Sequence, residues 1–226
     1  MNQTLIPMAT LAASFLTLFG GAEWIHRKGR LEAEWSRKLV HIVTGLITLA
    51  FPLVLTSHWQ VLILCASFGV ILSISKRNAF LPSINGIDRK SHGSILYPVS
   101  VYGCFLMFQW QGDLIWFYAP ILTMAICDPI AAWVGSQTNW KPYQVGADKK
   151  TLGGSLAFLG ASALLLTGLF SWMPFPAEGS PTILALFLAS MATLAEGISQ
   201  HGRDNFWIPV AVSLGMLFPT IITHLI

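Results

Sequence analysis

LIWFYAPILTMAICDPIAAWVG, residues 114–135, carries a single charge, Asp128, in 22 residues. A helix needs roughly 20 predominantly apolar residues to cross the hydrocarbon of a bilayer, so this stretch is long enough to span one. Working outward, seven further apolar stretches lie at about 4–21, 39–56, 59–75, 93–110, 155–172, 181–199 and 206–225, several of them near the short end of the spanning range. Apolar residues make up 54% of the 226 and charged residues 10%, against ~25% charged in an average soluble domain. Mean hydropathy is +0.63. This composition excludes an ordinary soluble domain, a disordered chain and a nucleic-acid-binding module. Nineteen glycines and twelve prolines are too few for a collagenous chain and too many for a simple coiled coil. The expectation is an all-α polytopic membrane protein of about eight transmembrane helices, forming one domain over 1–226.

The cations orient these spans. Arg27, Lys28, Arg30, Arg37 and Lys38 follow span 1; Lys76, Arg77, Arg89 and Lys90 follow span 3; Lys141, Lys149 and Lys150 follow span 5; Arg203 follows span 7. These are all thirteen Lys and Arg, and the other connections and both termini have none. Positive charge concentrates in cytoplasmic loops, so the odd-numbered loops are expected in the cytoplasm and both termini outside. No Lys or Arg precedes the first apolar run, which therefore reads as a permanent span rather than a signal peptide. Cys65, Cys104 and Cys127 lie in apolar stretches without ligand spacing and are expected to be buried, unpaired small hydrophobes.

Chemistry-bearing residues gather on the same face. A carboxylate in hydrocarbon costs about 2.5–3.5 kcal/mol on insertion scales unless compensated, which marks Asp128 as a functional candidate, a Mg²⁺ ligand, or else a cap at a helix break. With Pro129 next, Asp128 reads as an N-cap and the helix is predicted to break there. In ADKKTLGGSLAF (147–158) Lys149, Lys150 and Thr151 precede Gly153, Gly154 and Ser155, at the start of span 6. Cations ahead of glycines at a helix N-terminus suit an anion; the bland alternative is a basic anchor followed by a small-residue helix contact. EGISQHGRDN (196–205) brings Glu196, Asp204 and Asn205, groups suited to Mg²⁺ or hydroxyl coordination, unless Arg203 merely pairs with Glu196 or Asp204. Arg37 and His41, four apart in SRKLVHIVTG (36–45), share a helix face and form either a phosphate clamp or snorkelling anchors. INGIDRKSHGS (84–94) adds Arg89 and Lys90 in a turn-prone basic loop, a phosphate contact or plain solvated loop. Taken together, the four loops describe a site for a polyanionic, metal-bound phosphate compound beside the lipid phase.

At these residues the chain resembles the membrane-embedded CTP-dependent lipid-alcohol kinases, which include dolichol, phytol and farnesol kinases and the yeast-type diacylglycerol kinase; phosphatidate cytidylyltransferases are more distant. The matching pieces are RKLVHIVTG (37–45), LPSINGIDRKSHGSILYPVS (81–100), CDPIAAWVGS (127–136), KPYQVGADKKTLGGSLAF (141–158) and EGISQHGRDNFWIPV (196–210), in family order. The second and fourth look most like the phytol kinase branch. Residues 37–226 form the family-like core, and 1–36 a first span with a basic juxtamembrane segment. KKTLGGS stands where relatives more often read KKSWEGS, so an acidic residue common there is absent. The resemblance implies phosphorylation of an isoprenoid alcohol by CTP in a multi-pass membrane protein of the cell inner membrane, or of a thylakoid in a photosynthetic source. Its partners are then a nucleoside triphosphate, a long-chain lipid alcohol and the bilayer. It implies Asp128, Glu196 and Asp204 as catalytic carboxylates and Asp128, Asp204 and Asn205 around Mg²⁺. Phosphate contacts are implied for Lys149, Lys150, Thr151, Gly153, Gly154 and Ser155, with Arg37, Lys38, His41, Arg89 and Lys90 further out. Rival readings are a diacylglycerol kinase, a cytidylyltransferase-like enzyme, or a transporter of a phosphorylated anion.

Overall fold

The computed structural model of the protein describes residues 2–78, 80–86, 91–173, 175 and 180–225. Among the described residues the secondary structure is helical except for one hairpin. In order come α1 (Asn2–Arg27), α2 (Ala33–Thr48), the short α3 (Phe51–Val54), α4 (His58–Asn78), the short α5 (Pro82–Asn85), α6 (Gly93–Gln111) and α7 (Ile115–Leu122). A π-helical turn (Thr123–Cys127), α8 (Asp128–Thr138), strands β1 (Pro142–Val145) and β2 (Asp148–Thr151), α9 (Leu152–Trp172), α10 (Pro181–Ile198) and α11 (Asp204–Leu225) follow.

Six helical segments among the described residues are long and apolar enough to cross a membrane: Leu5–Arg27, Ala33–Val54, His58–Asn78, Ile115–Thr138, Leu152–Trp172 and Pro181–Ile198. The other two expected spans are helical as well, as α6 and α11. The outer surface is apolar: Leu164, Trp172, Ile183, Leu194 and Ile198 are each at least 68% exposed. Helix α2 shows the same inversion on a smaller scale. Ser36, Lys38, His41 and Thr48 are buried while Leu39 and Leu46 are exposed. An apolar belt of this extent does not persist on a water-soluble monomer, so the protein is an integral membrane protein.

The segment α7–π–α8 is the central post, packed by α2, α6, α9 and α11. Trp116, Phe117, Ile121 and Met124 are fully buried in it. The break predicted at Asp128 is not found. Asp128 is the first residue of α8, Cys127 before it has α-helical dihedrals, and no side chain caps the junction. The helix instead widens into one π turn, a device that relieves a proline inside a helix without ending it. Pro129 has no N–H to offer the carbonyl five residues earlier, that of Met124. His41 Nε2, from α2, donates to that carbonyl at 3.1 Å. The proline and the histidine, 88 positions apart, are thus two halves of one arrangement.

The connection from α8 to α9 carries the one hairpin among the described residues. Its basic stretch folds into an antiparallel hairpin pairing Tyr143 with Lys150 and Gln144 with Lys149. Gly146, at φ +57°, opens the two-residue turn, a backbone setting that glycine adopts without a Cβ clash. Strand alternation sends neighbouring residues to opposite faces. Asp148 is therefore buried and Lys149 exposed, with Lys150 turned back inward.

Candidate active site

Two ion pairs organise the site. Lys38 Nζ on α2 lies 2.6 Å from Asp128 Oδ2 on α8, and the side chains are 10% and 8% exposed. Lys150 on β2 reaches the end of α10, where its Nζ lies 2.5 Å from Glu196 Oε1 and also donates to the Glu196 backbone carbonyl. Arg203, the cation that the sequence placed nearest Glu196, is exposed. Burial alone would lower the pKa of Lys150. The carboxylates of Glu196, Asp204 and Asp128 outweigh that effect and hold it above the ordinary lysine value, so Lys150 is an ammonium.

Both pairs line a single cavity of about 410 Å³, together with Asp148, Lys149, Thr151, Gly154, Ser155 and Asp204. Three cations and four acids thus face one space, drawn from α2, α8, the hairpin, α10 and α11. Asp148 accepts from the His201 backbone N–H, which ties the hairpin to the α10–α11 turn. Asp204 opens α11 and accepts the Asn205 N–H at 2.9 Å. Glu196 Oε2 is buried and has no hydrogen-bond partner. An orphaned carboxylate oxygen is costly, and beside three other acids it is suited to a cation or a hydroxyl.

The start of α9 is more self-contained than the glycine-rich sequence implied. Thr151 is its N-cap and accepts the Gly154 N–H at 3.0 Å. Leu152 and Gly153 donate to the carbonyls of Lys141 and Trp140. The first three N–H groups of the helix are therefore occupied, and the lysine ammoniums are the cationic donors that line the cavity. The glycines allow close packing of α8 on α9: a Cβ on Gly154 would sit 2.9 Å from the Ala131 carbonyl, and one on Gly153 2.8 Å from Thr138 Oγ1.

Arg37, His41 and Asn205 lie elsewhere, lining a second, largely apolar recess. Arg37 pairs with Glu34 at 3.2 Å, and Asn205 Nδ2 donates to the Gly93 carbonyl at 3.0 Å. Arg89 and Lys90 fall outside the described residues. Sequence reasoning did not assign Tyr143, whose hydroxyl bonds Ser155 Oγ at 2.9 Å and donates to the Gly197 carbonyl at 3.4 Å. Nor did it pair Lys38 with Asp128; the demand of a buried acid for a cation was the available signal. All three cysteines are buried and free, as expected.

No three His, Cys, Asp or Glu among the described residues come together closely enough to enclose a metal by themselves. Mg²⁺ does not need such a cage. It binds through one or two carboxylates plus substrate phosphates, and Asp128, Asp204 and the orphaned Glu196 oxygen, which line the same cavity, fit that donor set.

The fold and this cavity define an integral membrane protein whose charged site lies at the junction of five elements. Over 209 residues the chain is 31% identical to phytol kinase of Synechocystis sp., an alignment covering 90% of this chain and 88% of that protein. The chain belongs to the phytol kinase family of membrane-embedded lipid-alcohol kinases and is a kinase acting on an alcohol. No family model and no solved structure matches it.

Proposed function

We propose that the protein transfers the γ-phosphoryl group of CTP to the primary hydroxyl of a membrane-embedded isoprenoid alcohol of the phytol, farnesol or polyprenol type. The product is the alcohol monophosphate, and CDP is released. The observation that carries this reading is the shared cavity: Lys38, Lys149 and Lys150 facing Asp128, Glu196 and Asp204, in a chain related to a phytol kinase.

Phosphoryl transfer asks little covalent chemistry of a protein and depends on positioning and electrostatic stabilisation. Lys149 and Lys150 meet the phosphate oxygens, and Lys38, beside Asp128, adds a third cation. Asp128 and Asp204 would hold Mg²⁺, which when bound supplies charge neutralisation on the phosphates. Glu196 is anchored through Oε1 and has Oε2 left to take the proton of the attacking hydroxyl. The hydroxyl oxygen bonds the γ-phosphorus as the bond from that phosphorus to the β–γ bridging oxygen breaks. CTP as donor rests on the family resemblance. The distribution of Lys and Arg supports a cytoplasmic position for the cavity, with both termini on the other side of the inner or thylakoid membrane.

The test is purified protein with Mg²⁺, offered labelled CTP or ATP against phytol, farnesol, undecaprenol and diacylglycerol. Phosphorylated isoprenoid alcohol with stoichiometric CDP is expected. Pyrophosphate release, phosphorylation of diacylglycerol alone, or no product with any alcohol overturns the proposal.

A further inference from the structure

The second recess lies beside the charged cavity. Lys38 and Asp204 line the charged cavity, and the adjacent Arg37 and Asn205 line the recess. The two spaces therefore abut across α2 and the start of α11. At this shared end the recess is polar, with Arg37, His41, Ser94 and Asn205. Arg37 Nε is buried and has no partner, so it is available to an oxygen entering there. Away from that end the recess follows α2 through Thr44 and Thr48 to Phe51. The eleven helical steps from Arg37 to Thr48 extend about 16 Å at 1.5 Å per residue. Phe51, 1% exposed, ends the run. It packs edge-on to Phe15 at 6.1 Å, and Phe15 packs on Phe68 at 4.9 Å.

We infer that this recess is the acceptor subsite. The alcohol enters it hydroxyl-end at Arg37 and Asn205, its branched aliphatic chain lies along α2 towards Phe51, and the Phe15–Phe51–Phe68 cluster sets the chain length accepted. This inference rests on the alcohol-kinase reading above. The occupant is specified by adjacency to the phosphoryl-transfer cavity, by one charged end only, and by a lining that away from that end is mainly aliphatic and aromatic, with Thr44 and Thr48 the hydroxyls along it. A hydrated or charged substrate would leave its polar groups unpaired against that lining. The recess is narrow, about 80 Å³, so the aromatic side chains at its far end decide how much of a chain enters. Thr44 and Thr48 keep the middle slender where leucine would fill it.

The experiment compares Phe51→Leu and Thr44→Phe with the unsubstituted full-length protein in mixed micelles, using primary isoprenoid alcohols of increasing length. A methylene-sized change in a hydrophobic pocket discriminates by about tenfold or more. Phe51→Leu is expected to raise kcat/KM for longer relative to shorter alcohols by about that factor, and Thr44→Phe to lower it by a similar factor. KM for the nucleotide is expected to stay within about twofold in both. Unchanged length profiles in both folded variants overturn the inference and make the recess a slot for ordinary lipid. A photoreactive alcohol with a diazirine on its tail gives a readout independent of turnover and of whether either variant folds. Crosslinks at Phe51, Phe68 or Val101, all of which line the recess, support the subsite even where no phosphorylation is seen, and crosslinks confined to the outer surface sink it. Failure of the kinase reading, with no product from any alcohol, is thereby separable from failure of this one.

Discussion

Replacing Asp128 with Asn keeps the shape of the side chain and removes the charge opposite Lys38. The pair is short, 2.6 Å, and about nine-tenths buried on both sides. Removing one member of a buried pair costs about 3–5 kcal/mol, because the survivor is left uncompensated. Lys38 also faces the cavity that holds Asp204, which argues for the lower figure, about 3 kcal/mol. For a chain of this size that corresponds to a fall of about 6–12 °C in thermal midpoint. Removing both charges, as in Lys38→Met/Asp128→Asn, takes away the stranded ammonium and is expected to restore most of that stability. Activity is expected to behave differently. If Asp128 holds the metal that neutralises the transferring phosphate, its charge supplies about 3–4 kcal/mol of transition-state stabilisation, and kcat falls by about 10²–10³-fold in the single and the double variant alike. The single variant should also require more Mg²⁺ for half-maximal rate. The assay is thermal unfolding of the detergent-solubilised protein beside turnover of labelled CTP over a Mg²⁺ titration. A double variant that regains turnover and Mg²⁺ dependence along with its stability would refute the reasoning. The pair would then be structural, and the metal would fall to Asp204 and Glu196.

Lys149→Ala, on the exposed face of β2, is expected to raise the nucleotide KM by about fivefold, equivalent to about 1 kcal/mol, with no change in unfolding temperature; an unchanged KM removes Lys149 from the phosphate contacts. His41→Leu strands the Met124 carbonyl and is expected to cost about 1–3 kcal/mol. In a Pro129→Ala background an N–H at 129 can replace it, so the loss should shrink by at least about 0.5 kcal/mol, and strict additivity in unfolding measurements would break the link between His41 and Pro129. The pKa of Lys150 is held above its ordinary 10.5, so its stabilisation is fully present below that pH and is lost as pH rises through the raised value. Thermal midpoints measured from about pH 9 to 11.5 should fall less steeply in Lys150→Gln than in the unsubstituted protein; parallel profiles would contradict the assignment. Finally, a cysteine introduced at Asp113 should be labelled by an impermeant thiol reagent from outside the cell, and one at Gln144 only after permeabilisation; the reverse pattern overturns the topology.

Much of this architecture was legible in the sequence because a bilayer reads a local quantity. Whether a segment spans depends on some twenty consecutive residues, and orientation depends on the cations at its ends; the eight apolar stretches accordingly correspond to helices. Asp128, Glu196 and the lysine pair at 149–150 were visible as candidates for the same reason, since a charge in or beside an apolar run is anomalous wherever the rest of the chain goes. Which charge faces which was not visible. Lys38 finds Asp128 across 90 residues and Lys150 finds Glu196 across 46, and no local pattern encodes those distances. The helix break expected at Asp128–Pro129 followed the local rule for a proline, but His41 from another helix takes up the freed carbonyl, and the chain continues through a π turn. Lys149 and Lys150 look equivalent as neighbours, and only strand pairing, with its period of two, leaves Lys149 exposed at the cavity and turns Lys150 inward onto Glu196. The sequence by itself determined that this is a membrane protein with its polar chemistry gathered at one level. The tertiary structure decided that Arg37 and Asn205 face an apolar recess while Lys38 and Asp204, one residue away in each case, face the charges, because adjacent residues on a helix point about 100° apart and only packing determines what lies in each direction.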